Sequence, residues 1–292
     1  MAEGNNVTDN PVPVGSKVSV GEYEIHYLSY GAGPAVVFLH GSGPGASGYS
    51  HFKQNISAVV ESGRQAIVLD MLGFGYSSKP TDCDYTTDLF ASTVVGALEA
   101  IGIDRCVLVG NSLGGAVSIR IALDNPLLVT ALVLMAPGGI EEAEVYYAMP
   151  GISRMVSQFV GGELDRDRMR ALLQMLVRDP GHVTDALVNE RFSILQEQPK
   201  EVLSRLVVPN MANELGSLTC PIIGFWGQKD QFTPVSGFTR FMDVCEDCRF
   251  TIVANCGHWV MVERMEMFNA QLKHFLSSQS EKALTSGGDS SG

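Results

Sequence analysis

The decapeptide Val107-Leu108-Val109-Gly110-Asn111-Ser112-Leu113-Gly114-Gly115-Ala116 constrains the fold more than any other stretch of the chain. A short apolar run enters Gly-x-Ser-x-Gly, and a helix-type pattern begins at once. To pass from strand to helix in so few residues the backbone must turn sharply, with Ser112 at the strained apex. Side chains at 110 or 114 would block the close approach. The Ser112 hydroxyl then stands at a helix N-terminus, where unpaired amides and the helix dipole favour developing negative charge.

The rest of the chain alternates in the same sense. Apolar runs at 35–39, 66–69, 106–109, 131–135, 221–226 and 249–253 have the length of strands, and all but the last read as buried on both faces. Helical periodicity marks 49–61, 87–101, 112–125, 235–245 and 262–275. Such alternation predicts an α/β fold, a mostly parallel sheet flanked by helices. Two earlier runs, Ser16–Val20 and Tyr23–Tyr30, predict an antiparallel hairpin turning at Gly21-Glu22. From Gly138 to Leu218 there is no strand signal, only helical periodicity rich in Met and Arg (Met149, Met155, Met169, Met175, Arg166, Arg168, Arg170). This insertion leaves the carboxyl end of the strand at 131–135, the edge where open α/β sheets bind ligands, and so predicts a helical cap over the site. The expected organisation is a core at 17–137 and 219–276, a cap at 138–218, and loose tails at 1–16 and 277–292.

Charge and composition narrow the partners. Hydrophobic residues make up 45% and charged residues 18%, which implies a large interior. Lys and Arg number 20 against 32 Asp and Glu, a formal charge of −12. That balance repels nucleic-acid phosphates and anionic lipid, so neither nucleic acid nor a membrane is expected as partner. An anionic small molecule needs a local cation. Met1 to Asn10 has neither a basic nor an apolar signal segment, and no stretch is long enough to span a bilayer, so a cytoplasmic location is expected. The six cysteines (Cys83, Cys106, Cys220, Cys245, Cys248, Cys256) read as reduced thiols. Cys245-x-x-Cys248 lacks a second ligand pair, and the glycines at 41, 43 and 48 are out of register for a dinucleotide fingerprint. No metal and no cofactor are expected.

A serine hydroxyl is a poor nucleophile until a base removes its proton. Of the six histidines, His26 falls in the hairpin, His182 in the insertion and His274 late in the last helix. His258 follows the strand at 249–253, on the sheet edge that carries Ser112, and is the expected base. Its imidazole needs an acid to fix the tautomer and stabilise the imidazolium. Asp230 follows the strand at 221–226 on that same edge, whereas no acid follows 131–135 until Glu141. The loop from His40 to Gly48 follows the first parallel strand, and its glycines let backbone amides reach a ligand. Ser42 or Gly43, with Leu113, are the expected oxyanion-hole donors. The segment Asp70 to Ser77 reads as a structural loop.

With these residues placed, the chain resembles the α/β-hydrolases, whose nucleophile, acid and base follow the chain order Ser112, Asp230, His258. More narrowly, it resembles the meta-cleavage-product hydrolases, which cut a carbon–carbon bond in 2-hydroxy-6-oxohexa-2,4-dienoates during aromatic degradation. The resemblance covers about 18–276 and rests on four stretches: Ser-Gly-Pro-Gly-Ala-Ser-Gly-Tyr-Ser at 42–50, Gly-Asn-Ser-Leu-Gly-Gly at 110–115, Asn189-Glu190-Arg191-Phe192, and Gly257-His258-Trp259. It implies an α/β-hydrolase fold, catalysis without a cofactor and a homo-oligomer of two or more subunits. It also implies a triad of Ser112, Asp230 and His258, with Arg191 on the substrate carboxylate and Asn111 and Trp259 in contact with substrate. Where the family usually carries Asn, this chain has His51, whose imidazole can bond a substrate oxygen but differs in bulk and charge. Met149, Met155, Phe159, Met175 and Phe192 are expected around the 6-substituent. The alternative with the same triad is a carboxylesterase for small hydrophobic or aryl esters.

Overall fold

Strand formation follows the β-branched runs almost residue for residue. In the computed structural model, which describes residues 13–160 and 164–286, β1 (Ser16–Val20) and β2 (Tyr23–Tyr30) form the hairpin. β3 (Ala35–Leu39), β4 (Gln65–Leu69) and a two-residue β5 (Tyr85–Thr86) follow. After them come β6 (Cys106–Asn111), β7 (Val129–Met135), a short β8 (Leu206–Val207), β9 (Ile222–Gly227) and β10 (Cys248–Val253). The main sheet has the order β1-β2-β4-β3-β6-β7-β9-β10. It is parallel from β4 to β10 and antiparallel only where β2 meets β1 and β4. β3, β6 and β9 are buried throughout, while β10 at the edge is half-exposed.

Alternate residues of each inner strand serve opposite core layers, as a pleated sheet requires. Val37, Leu39, Leu108 and Leu134 pack with Phe90, Val94 and Val117, from α3 (Thr87–Ala100) and α4 (Leu113–Asp124). Val36, Phe38, Val109 and Val133 pack on the other face, against α2 (Ile56–Glu61) and the long C-terminal helix. The helix expected over 49–61 is divided into α1 (Gly48–Phe52) and α2, because the Asn55 amide is drawn away to Met261 O (3.1 Å) and Asn269 Oδ1 (2.9 Å).

The insertion carries α5 (Ala143–Tyr147), α6 (Pro150–Val160), α7 (Arg166–Met175), α8 (Asp185–Leu195) and α9 (Glu201–Ser204). It is not wholly helical as expected: β8 lies in it and pairs with β5 in a separate parallel ladder. Two residues are too few to leave a period in the sequence. Beyond the insertion, a 3-10 turn at Val235–Gly237 leads into α10 (Phe238–Met242), so the helix expected over 235–245 is shorter. α11 (Val260–Glu263) and α12 (Met265–Ser286) are separated at Arg264, whose guanidinium bonds Glu263 O and Asn255 O. α12 also corrects the expected C-terminal tail: the helix continues past Leu276 to Ser286, since elongation adds a backbone bond per residue once the apolar turns have nucleated it. Most of the expected N-terminal tail lies outside the described residues. Among the described residues no helix is long and apolar enough to cross a membrane.

Strand register brings the loops after β3, β6, β7, β9 and β10 to one edge: Leu39 lies beside Gly110, Asn111 beside Met135, and Val253 beside Gly227. The loop after β3 is anchored by the buried Asp70, just after β4. Its Oδ1 accepts from Gly48 N (2.7 Å), while Oδ2 accepts from Tyr76 N (3.0 Å) and pairs with His26 Nδ1 (2.8 Å). Asp70→Ala strands a buried imidazole and two amides. It should lower stability by about 3 kcal/mol with an unchanged urea m-value; an unchanged midpoint would show that these bonds do not hold the loop.

Candidate active site

The elbow at Ser112 has the geometry its sequence demands. Ser112 sits at φ 53° and ψ −114°, a region L-residues avoid. Three backbone bonds hold it there: its N–H donates to Met135 O (3.0 Å), and its carbonyl accepts from Ala116 N (3.0 Å) and Gly138 N (3.0 Å). A Cβ at Gly110 would lie 2.4 Å from Gly114 O, and one at Gly114 would lie 1.9 Å from Leu39 O. Neither clash can be relieved by a side-chain rotation, because both involve backbone. The N–H of Leu113, in the first turn of α4, and those of Ser42 and Gly43 have no acceptor among the described residues.

Asp230 and His258 meet across two loops. The Asp230 side chain is fully buried, and its Oδ1 accepts from Phe232 N (2.7 Å) and Thr233 N (3.1 Å). Oδ2 accepts from Thr233 Oγ1 (2.8 Å) and lies 2.7 Å from His258 Nδ1. A carboxylate accepting from so many donors also accepts from Nδ1, which fixes the proton there and leaves Nε2 as the basic nitrogen. Phe232 stacks obliquely on the imidazole at 5.3 Å. Ser112 and His258 line one cavity of about 520 Å³, counting its open mouth. No hydrogen bond joins the two side chains, a separation common in unliganded sites whose bonds tighten around substrate.

The same cavity is lined by Asn111, His51, Trp259 and Arg191. Arg191, from α8, is 1% exposed. Its Nε donates to Pro44 O (3.1 Å) and its Nη1 to Ser50 Oγ (3.3 Å), and it lies 5.8 Å from the Trp259 ring. Among the described residues no carboxylate lies within 4.0 Å of it. Burial pushes its pKa down to about 10, with neighbouring Glu190 pulling the other way, so it stays cationic at neutral pH. A buried cation facing a cavity without a counter-charge is an anion-binding group.

His51 cannot supply a second positive charge. Burial, then Arg191, then His40 hold its pKa well below the usual histidine value. Its Nδ1–H donates to Ser47 O (3.0 Å). A Cβ built on Gly41 would stand 3.4 Å from His51 Nε2, 3.0 Å from Asn111 Oδ1 and 3.2 Å from Ser112 Cβ, so these three groups surround one point. The Asn111 amide donates to Met135 O, while its Oδ1 is buried with no partner.

Two expectations need correction or completion. Of the apolar residues expected around a substituent, Met155 lines the cavity but Met149, Met175 and Phe192 do not; Phe192 instead packs 4.5 Å from the Arg166 guanidinium. The Phe159 side chain lies outside the described residues. Helical period alone does not reveal which face of α6 or α7 points inward. Sequence reasoning also missed Glu263, a buried carboxylate behind His258. Its Oε1 accepts from Gly257 N (2.6 Å), and its Oε2 accepts from Arg178 N (2.8 Å) and Asp179 N (3.2 Å). It thus ties the histidine loop to the insertion. An acid in the otherwise apolar run Val260–Glu263 was the only signal.

With the geometry established, comparison places the chain. Residues 36–271 match the alpha/beta hydrolase family, and the chain belongs to it. Among curated relatives, it is 31% identical over 271 residues to a 2-hydroxy-6-oxo-6-phenylhexa-2,4-dienoate hydrolase of Comamonas testosteroni, covering 89% of this chain and 94% of that one. It is 33% identical over 267 residues to a 2-hydroxy-6-oxononadienedioate/2-hydroxy-6-oxononatrienedioate hydrolase of Paraburkholderia xenovorans (strain LB400), covering 88% and 92%. The solved meta-cleavage product hydrolase CumD of Pseudomonas fluorescens IP01 is 25% identical, with a TM-score of 0.80 over 91% of this chain and 98% of that one.

Two measurements check this electrostatic picture. Burial, partly offset by Asp70, lowers His40 to about 4, so the His40 and His51 ring signals should not shift in NMR spectra between pH 8 and 5.5. The folded state takes up fewer protons at these histidines than the unfolded chain. Their contribution to stability is therefore complete above pH ~6.5 and declines as pH falls towards 4. Glu263→Gln turns an amide N–H₂ toward backbone donors in an isosteric background and should cost about 2 kcal/mol in urea unfolding. A ring signal titrating near pH 6.5, or an unchanged unfolding midpoint, would contradict the corresponding assignment.

Proposed function

We propose that this chain is a serine-dependent hydrolase that cleaves the carbon–carbon bond of a 2-hydroxy-6-oxohexa-2,4-dienoate in the breakdown of aromatic compounds. The observation that carries the reading is Arg191: a buried, uncompensated guanidinium opening on the cavity that holds Ser112 and His258. An ester substrate has no need of it. A dienoate carboxylate entering a protein of charge −12 does. The segment 138–218 acts as the cap over a core formed by 17–137 and 219–276.

Ser112 is the nucleophile, His258 the base, and Asp230 the acid that orients it. The substrate carboxylate binds Arg191, its 2-hydroxyl meets the unpaired Asn111 Oδ1 beside His51, and Trp259 packs against the chain between. A proton relayed by His258 moves from the 2-hydroxyl to C5, turning the dienol into a 2,6-diketone. Ser112 Oγ, or a water activated at the same place, then adds to C6. The new oxyanion is held by Leu113 N–H with that of Ser42 or Gly43. Collapse breaks C5–C6, and the electron pair passes along C4 and C3 to the 2-oxo oxygen, leaving as a dienolate rather than a bare carbanion. Hydrolysis of the acyl group completes the products, a 2-hydroxypenta-2,4-dienoate and a carboxylic acid.

Ring-opened dienoates are yellow, so loss of colour follows the reaction. Ser112→Ala should lower kcat/KM at least about 1,000-fold. Arg191→Met should raise KM roughly 30-fold or more for the dienoate while leaving p-nitrophenyl acetate hydrolysis nearly unchanged. Rapid hydrolysis of p-nitrophenyl esters with no decolourisation of any 6-alkyl or 6-aryl dienoate would replace the proposal with a carboxylesterase.

A further inference from the structure

The groups that line the cavity are of two kinds. On one flank of Ser112 stand Arg191, His51 and the Asn111 Oδ1. The flank reached through His258 begins at Phe232, stacked on that imidazole, and Phe232 in turn touches the backbone of α6, where a Cβ on Gly151 would lie 2.8 Å from its ring. From α6 the wall is Ile152 and Met155; from α7 it is Met169, Leu172 and Leu173, followed by Leu176. None of these offers a hydrogen-bond donor to an anion. Among the described lining residues Arg191 is the only Lys or Arg, and its hydrogen bonds go to Pro44 O and Ser50 Oγ, not to α6 or α7. The sequence over 158–163, Gln-Phe-Val-Gly-Gly-Glu, contains no Lys or Arg. Two basic side chains of α7 are engaged outside the cavity: Arg166 bonds Asn189, and Arg170 bonds Val183 O and Asp185.

From this asymmetry we infer that the group on C6 of the substrate is uncharged and apolar, an alkyl or aryl group, and that dienoates ending in a second carboxylate are excluded. The inference rests on the proposed function and adds to it a choice between the two kinds of substrate named for the chain's relatives. Its physical basis is desolvation. A carboxylate lodged among Ile152, Met155 and Leu172 would give up water for no donor, in a protein already carrying −12. An aryl or alkyl group there is held by burial, and flexible Met155 and Met169 adapt to its outline. Binding reversed, with the distal carboxylate on Arg191, would place C6 away from Ser112 and be unproductive.

The test is a substrate pair on the unmodified full chain, followed by decolourisation: 2-hydroxy-6-oxo-6-phenylhexa-2,4-dienoate against 2-hydroxy-6-oxononadienedioate. The expected result is at least a 100-fold higher kcat/KM for the phenyl compound. Leu172→Arg, which supplies a cation on the apolar wall, should lower phenyl turnover and narrow that ratio at least 10-fold. Equal or better turnover of the diacid by the unmodified protein would overturn the inference and leave the proposed function standing. Failure to decolourise either compound, with p-nitrophenyl acetate still hydrolysed, would overturn both.

Discussion

The crossing of α4 over the end of β3 is the constraint on which the site depends. The backbone at Gly114 approaches Leu39 O so closely that a single methyl there would sit 1.9 Å from the oxygen. That contact sets where α4 begins, and with it the direction of the free Leu113 N–H and the twist at Ser112. The strain at Ser112 persists because three backbone bonds over-determine it. It holds Ser112 on the wall of the cavity, which neither strand nor helix geometry would do unaided.

Charge then decides what can occupy that volume. The protein is acidic as a whole, yet among the described residues no carboxylate lies within 4.0 Å of the buried Arg191. The adjacent Glu190 is turned away and bonds Lys53 Nζ at 2.7 Å. His51 and His40 are held neutral, so the positive field in the cavity comes from one fixed guanidinium. A charged imidazole at position 51 would add a second cation close to Ser112. His51, held neutral, leaves that charge pattern unaltered.

How much of this was legible in the sequence depends on the range of the forces involved. The strands, and the edge on which their loops collect, were readable because β-branched runs and the rule for parallel crossovers are local or topological. Asp230 and His258 followed from that edge, since few acids and histidines lie on it. Arg191 was readable only through resemblance, because an arginine on a helix of the insertion is usually a surface group. What escaped was decided by contacts between distant segments. Asn55 breaks a helix to bond Met261 and Asn269; β8 exists only because β5 is near; and the inward faces of α6 and α7 are set by packing on the core. Glu263 escaped for the same reason, its donors being two residues in the insertion and two in the histidine loop.

Several distant contacts tie the insertion to the loops after β3 and β10. Leu176 O accepts from Trp259 N at 3.0 Å, Glu263 bridges Gly257 to Arg178 and Asp179, and Gln198 Oε1 accepts from Gly45 N at 2.8 Å. At Gly45 the fit is so close that a Cβ would stand 1.8 Å from Arg191 O. The insertion is thus referenced to the loop that carries His258 at one side and to the loop after β3 at the other. Arg191 inherits its position from both. On the proposed reading, a carboxylate on that guanidinium stands at a distance from Ser112 that these contacts fix. Chain length from carboxylate to carbonyl becomes a property the fold can select.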